Sequence, residues 1–401
     1  MATAAARVDV LIFGGGAAGL WILDELCHRG HSAILVERRA LGDGQTIASQ
    51  GIIHGGVKYT LTGSLTSSAR AIREMPQVWR ECLEARRRPT LQDTRVLSPC
   101  CYLWRTDSLK SKLGMVGARV GLRSSLSRVT PGEVPDALRR VCGDVFRVDE
   151  QVIDVVSLLA DLRAHHGDRL LCAGDDPPAE FSTRARRGAV AVTLSDNQSG
   201  SSIEIEPGYL VLAAGAGNQA LREKLGLPAE AMQRRPLHMV LARGDLPPLY
   251  GHCVDGARTR VTVTSVVDRA GRTVWQIGGQ IAEDGVRMSA LALVAHAKEE
   301  LAAVLPGVDL GHAEWAAYRV DRAEGRTTTG LRPEGPSVHV NRNVVTAWPT
   351  KLALVPELAR LVADRVGSAS GVDFDAAAVF SGWPRPDVAR PPWEVVPQWQ
   401  G

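Results

Sequence analysis

The sequence predicts an α/β protein: a discontinuous Rossmann-like nucleotide-binding domain that carries a second, β-rich domain. Three observations predict it. The chain opens on an apolar strand that runs into a glycine turn, a helix and a second strand closed by an acid. A β-rich passage fills the middle of the chain. Strand–helix pieces then return near the C-terminus. At 401 residues there is room for two sizeable cores.

The opening unit is the most specific. Residues 8–13 are an apolar strand, and Gly14-Gly15-Gly16-Ala17-Ala18-Gly19 follows as G-x-G-x-x-G. A helix is expected over 17–29 and a strand over 32–37, with Glu37 placed 18 residues after Gly19. Each part has a physical task. Gly14 allows the tight turn, Gly16 lets the backbone approach a pyrophosphate, and Gly19 lets helix and strand pack closely. The helix amides receive the phosphates. Glu37 accepts hydrogen bonds from ribose hydroxyls.

Residues 42–56 are polar and glycine-rich, and read as a loop that crosses the nucleotide. Residues 64–87 read as a helix capped by Ser64 and kinked or split by Pro76. A further helix is expected over 155–166. Strands follow over 189–194, 203–205, 209–213, 238–242, 260–266 and 273–278. Residues 288–305 form an apolar helix. Strands over 314–319 and 343–346 precede the last long helix, 352–366. Residues 174–180 and the Pro-rich tail from Pro384 read as loops. The resulting division places the cofactor domain in 1–75, 145–232 and 325–401, and the substrate domain in 76–144 and 233–324.

Composition narrows the classes. Hydrophobic content of 45% and charged content of 23% are ordinary for a soluble globular protein, and the net charge is only +3. No basic run suggests nucleic acid. No apolar run is long enough to span a bilayer, so only peripheral membrane contact stays open. The first strand begins within a few residues of Met1, which leaves no room for a signal peptide. The seven cysteines include no C-x-x-C, which suits reduced thiols in the cytoplasm. Cys100-Cys101 reads as a half-buried strand pair. No metal-ligand pattern stands out. Only six of the 47 basic residues are lysines, so a lysine beside a motif carries weight.

Two features favour FAD over NAD. No second G-x-G-x-x-G follows a later strand. Leu210-Val211-Leu212-Ala213-Ala214-Gly215 is an apolar strand that ends in small residues, which lets the chain pass close to a cofactor. Together these features resemble the superfamily of D-amino-acid oxidase and glycerol-3-phosphate dehydrogenase. The closest local likeness is to the latter branch. The likeness rests on Gly51-Ile52-Ile53-His54-Gly55-Gly56-Val57-Lys58-Tyr59, similar to that branch's L-I-H-G-G-L-R-Y. Shorter matches are Arg235-Pro236-Leu237-His238-Met239-Val240, Tyr318-Arg319-Val320, and Lys351-Leu352 before the last helix. The branch has G-G-K-L at the last position, where this chain has Ala347-Trp348-Pro349-Thr350-Lys351. That departure, and the missing C-terminal extension, weaken glycerol 3-phosphate itself as the substrate.

The resemblance implies an FAD enzyme with a β-rich substrate domain. Its FAD-contacting residues would be Gly14, Gly16, Ala17, Ala18, Gly19, Glu37, Arg38, Thr46, Ser49, Gln50, Gly51, His54, Ala214, Gly215, Lys351 and Leu352. Lys58, Tyr59, His238, Arg319 and Arg322 would face substrate. The chemistry expected is oxidation of a CH–OH or CH–NH bond in a small anionic substrate, by hydride transfer to flavin N5. Electrons would pass to oxygen, a quinone or a carrier protein. His238 or His54 would be the base, and Arg319 and Lys351 the anion clamp. Bland readings compete with these. His54 can be a core histidine, His238 an interfacial one, and Lys58 a surface lysine. Arg319 can pair internally with Asp321 or Glu324. Rival functions are an amino-acid or 2-hydroxy-acid oxidase using oxygen, a flavin-binding protein without turnover, and, weakest, an NAD dehydrogenase.

Overall fold

The computed structural model describes residues 4–56, 67–106, 126–174, 180–184, 189–196, 200–255, 258–371 and 374–401. Its framework is two eight-stranded sheets. The first begins with β1 (Ala4–Phe13), α1 (Ala17–His28) and β2 (Ala33–Glu37). β1 runs parallel between β2 and the strand Ser201–Leu212. It is covered on both faces, which explains its unbroken apolar run. Val10 and Ile12 enter one core, Leu11 and Phe13 the other. α1 and the helices Val155–His166 and Val355–Val366 cover the first face. Leu20, Ile22, Leu23 and Leu26 of α1 are fully buried. Each contributes about 1.5–3 kcal/mol. α1 stops at Gly30, which has φ +84°. There Gly30 N donates to Cys27 O and His31 N to Leu26 O, the double bond of a Schellman ending.

The second sheet is mostly antiparallel. Its strands lie in the order Glu314–Gly325, Met232–Gly244, Thr273–Gly278, Arg258–Val267, Gly251–Asp255, Cys101–Arg105, Phe146–Val148, Leu126–Arg128. The helix Ala290–Val304 packs on it through Leu293, Val294, Ala297 and Leu301. Ser289 caps that helix by accepting from Ala292 N.

Several elements differ from expectation. The helix after the glycine-rich loop is described over Ser67–Leu83, so a cap at Ser64 lies outside the described residues. Pro76 does not split it. Met75, Trp79 and Cys82 are buried in the first core, and the Trp79 ring sits 4.6 Å from that of Trp21. The two strands expected over 203–205 and 209–213 are one, Ser201–Leu212. One of its edges meets Ala189–Asp196 up to Ile205 and meets Val344–Trp348 from Leu210 onward. Pro207 falls in the gap between these neighbours, so its missing N–H breaks no ladder there. The tail from Pro384 is not all loop. Asp387–Val388 pairs with Ala40–Leu41, Pro392–Val395 forms a helical turn, and Gln400 bridges to Trp315. The tail is a strap from the first sheet to the edge of the second.

Candidate active site

The glycine turn opens one wall of a cavity of about 1060 Å³. Gly14 has φ +109°, and a Cβ there would lie 2.5 Å from Ala214 Cα. A Cβ on Gly19 would lie 1.9 Å from Gly14 O. These two glycines are therefore fixed by packing. Gly16 differs, because it faces the cavity and a Cβ there would meet only Thr46 Oγ1, at 3.0 Å. α1 starts at Gly16 with no side-chain cap on its first turn; Thr46 Oγ1 accepts only the Ala17 amide, at 3.2 Å. Uncapped amides beside a bare glycine make a phosphate cradle. Glu37 closes this end. Its carboxylate accepts from Gly15 N at 2.6 Å, Arg38 N at 2.7 Å and Arg39 N at 3.3 Å. Burial pushes its pKa up and the three amides oppose that.

The cavity is also lined by 213–217, which packs against Gly14, and by Ala347, Trp348, Pro349, Lys351 and Leu352. Asn218 ties them together by holding the Ala214 amide at 2.7 Å and donating to Ala347 O at 3.2 Å. The resembling branch has glycines just before Lys351. Here Thr350 takes a left-handed φ of +65°, strained for a β-branched residue. Its hydroxyl donates to Gly335 O at 2.8 Å. Trp348 is fully buried and donates to Gly215 O at 3.2 Å. The loop thus holds one left-handed residue, Thr350, among bulkier ones.

The edge strand Glu314–Gly325 of the second sheet supplies the far end through 317–321. Tyr318 donates to Ala48 O and accepts from Gln276 Nε2, both at 3.0 Å. Burial pushes its phenol well up. Arg319 donates to Val286 O at 2.7 Å and Met288 O at 2.8 Å. Neither expected acid takes it. Glu324 binds Arg235, and Asp321 lies 3.4 Å from Arg234. Ser49 lines the cavity with a buried Oγ that has no partner. The strap, with Arg390, Pro392 and Val395, covers one side.

Among the expected site residues, Gly14, Gly16, Ala17, Ala18, Glu37, Arg38, Thr46, Ser49, Ala214, Gly215, Arg319, Lys351 and Leu352 line this one cavity. Others do not. Gly51 has φ +68° and packs on Ile153 O. Gln50 pins its loop to the second sheet by donating to Gln276 O at 2.8 Å. His238 is buried, with Nδ1 on Gly285 O at 3.0 Å, and burial holds its pKa below the ordinary value. Arg322 pairs with Glu283 at 3.1 Å. Lys58 and Tyr59 lie outside the described residues. His54 stands outside the lining but within the field of Lys351, and burial holds its imidazole below its usual range. Its Nδ1 is 3.1 Å from Glu150 Oε2. The sequence reading missed Glu150, His252 and the strap, and named Tyr318 only within the Tyr318-Arg319-Val320 match, with no site role. None of them belongs to a spaced motif.

These residues fit a dinucleotide: an open glycine, uncapped helix amides, an acid at the ribose end and an unpartnered serine hydroxyl. Comparison with known proteins agrees. The family DAO, described as FAD dependent oxidoreductase, matches residues 9–365. The chain belongs to the DAO family of FAD-dependent oxidoreductases. A probable FAD-dependent oxidoreductase of Pseudomonas aeruginosa is 41% identical over 396 residues, 98% of both chains. A crystal structure of an FAD dependent oxidoreductase from that organism superposes with TM-score 0.81 at 39% identity, covering 98% of this chain and 99% of that one. The likeness to one subunit of the anaerobic glycerol-3-phosphate dehydrogenase of Escherichia coli is local: 37% over 79 residues, 19% of this chain and 14% of that one. Glycine oxidase from Geobacillus kaustophilus shares the DAO fold, with TM-score 0.64 and 19% identity over 93% of this chain and 98% of that one. The protein is thus an FAD-dependent enzyme. Among its described residues, no helix is long and apolar enough to cross a membrane.

Proposed function

We propose that this DAO-family enzyme oxidises a CH–OH or CH–NH bond of a small anionic substrate. When bound, FAD supplies the hydride acceptor at N5. One observation carries the anionic reading. Lys351 lines the same cavity as the glycine turn; Arg319 lines it through its strand, with its guanidinium turned to Val286 O and Met288 O on the other face from Tyr318, and among the described residues no carboxylate pairs with Arg319. Its guanidinium is fixed by two main-chain carbonyls, which orient the fork without cancelling its charge. A substrate carboxylate or phosphate completes it. Lys351 adds a second cation. Gly14, Gly16, Ala17, Ala18 and Thr46 hold the diphosphate, and Glu37 takes the ribose. Ser49, Ala214, Gly215 and Leu352 line the path between. His54 follows the lining residue Ser49 on the same loop, just outside the lining itself, and takes the O–H or N–H proton of a substrate that extends from the cavity toward it. The seven free thiols support a cytoplasmic setting.

Anaerobic flavin bleaching tests this. The FAD-loaded protein is mixed with small carboxylic acids, polyol phosphates and amines. An anionic compound that bleaches the flavin, and fails to do so in Arg319→Gln, supports the reading. Bleaching only by neutral or cationic compounds contradicts it. Peroxide assay in air then shows whether oxygen is the acceptor.

A further inference from the structure

Glu150 is 3% exposed, and main-chain pairing places it beside the His54 loop. Ile53 N donates to Gln151 O at 2.9 Å, and Ile153 N to Gly51 O at 3.0 Å. Glu150 Oε1 accepts the Gly55 amide at 2.8 Å, and Oε2 faces His54 Nδ1 at 3.1 Å. His252, 6% exposed on Gly251–Asp255, brings Nε2 to 3.8 Å from the same oxygen. Thr262 Oγ1 holds the other nitrogen of that ring at 2.9 Å. Asp149 turns away to Arg80, at 2.6 Å. Glu150 and His252 therefore stand against His54, whose ring centroid is 5.6 Å from that of His252, and the charge of Lys351 is felt there.

A charge buried this deeply persists only where hydrogen bonds compensate it. The Gly55 amide and the His54 imidazole do so, and the His252 ring stands 3.8 Å from the same oxygen without a direct hydrogen bond. An ionised carboxylate can only accept, so the proton of a neutral His54 sits on Nδ1. Nε2 then keeps its lone pair. Burial disfavours the imidazolium against the pull of Glu150, and the charges of His252 and Lys351 add smaller repulsions, so the ring stays neutral between turnovers.

We infer that Glu150, backed by His252, is a positioning residue that fixes His54 as the Nδ1–H tautomer and leaves Nε2 to accept the substrate proton. This rests on the reading above that the enzyme oxidises an O–H or N–H bearing carbon. The substrate O–H or N–H bond breaks as the Nε2–H bond forms, and the C–H hydride goes to FAD. The imidazolium that results faces the Glu150 carboxylate, and its proton leaves through the exposed ring edge; the His54 side chain is 37% exposed.

The test is nitrogen-15 NMR of labelled histidines in the FAD-loaded protein, with His54 assigned by His54→Gln. The wild type is expected to carry its proton on Nδ1 at neutral pH. In Glu150→Gln the carboxamide must still accept from Gly55, so its NH₂ is turned to His54 and the proton moves to Nε2. A wild-type Nε2–H tautomer overturns the inference without any variant, as does an unchanged tautomer in Glu150→Gln. Glu150→Gln should also slow anaerobic flavin reduction by about tenfold or more, with KM nearly unchanged and the acid limb of the pH profile moved. An unaltered rate and profile overturn it. If nothing reduces the wild-type flavin, the oxidation reading fails while the NMR result still decides this one. The three ligating atoms lie within 4.8 Å of one another. Stoichiometric Zn²⁺ uptake that displaces the Nδ1 proton would make the trio a metal site and overturn the inference.

Discussion

Gly14→Ala tests the close approach on which the cradle is built. Two terms set the cost. At φ +109° a Cβ is strained by about 1–2 kcal/mol. The Cβ would also lie 2.5 Å from Ala214 Cα and 2.7 Å from Ala213 C and O, all main chain. No side chain can swing away, so the ends of β1 and of Ser201–Leu212 must part. Overpacking of this kind costs about 1–3 kcal/mol. The sum is about 2–5 kcal/mol, a large part of a typical domain's stability. Gly30→Ala is the control. Gly30 has φ +84° with nothing within 4 Å of the added Cβ, so it carries the strain term alone. The assay is thermal unfolding of the two FAD-free variants, followed by flavin titration. Gly14→Ala should melt about 2–6 °C below wild type and below Gly30→Ala. It should also bind FAD more weakly, because the cradle shifts with the strands. Equal melting of the two variants, with wild-type FAD affinity in Gly14→Ala, would refute the packing argument.

Three further outcomes are expected. Removing the strap from residue 389 onward strips Arg390, Pro392 and Val395 from the cavity wall, so FAD should dissociate about tenfold faster in a dilution assay; an unchanged off-rate counts against a sealing role. Tyr318→Phe leaves Ala48 O without its donor and Gln276 Nε2 without its acceptor, and should cost about 1–3 kcal/mol in denaturant melts; a loss within error means water replaces both bonds. His54 has a folded pKa pushed down to about 4, so below its ordinary value near 6.5 the unfolded chain binds the extra proton and stability falls as pH drops through that window. The melting temperature of wild type should decline between pH 6.5 and 4 more steeply than that of His54→Gln, and parallel curves would contradict this.

The sequence was most legible where structure is local. β1, α1 and β2 follow from one period change and one glycine turn, and Val155–His166 from its apolar spacing. Thirteen lining residues were readable because the glycine turn, the small-residue strand end and Lys351 sit at fixed places along the chain. Longer-range features were not. Gly251–Asp255 pairs in parallel with Cys101–Arg105 across a separation that no local pattern records. Pro207-Gly208 looks like a break and is a continuous strand, because the neighbours on that edge happen to part there. Glu150 meets His54 from 96 residues away, and an isolated acid carries no spacing signal. His238 attracted attention as a strand-end histidine, yet strand register turns it to the Gly285 carbonyl. Thr350 takes a left-handed conformation that its residue type does not announce, with its hydroxyl bonded to Gly335 O.

One cavity is proposed to hold cofactor and substrate together. A crystal structure of the FAD-loaded enzyme with an anionic substrate analogue tests it most directly. The diphosphate should lie on the amides after Gly16, and the anionic group of the analogue should meet Arg319. An FAD ring out of reach of Lys351, or an analogue bound away from Arg319, would contradict it.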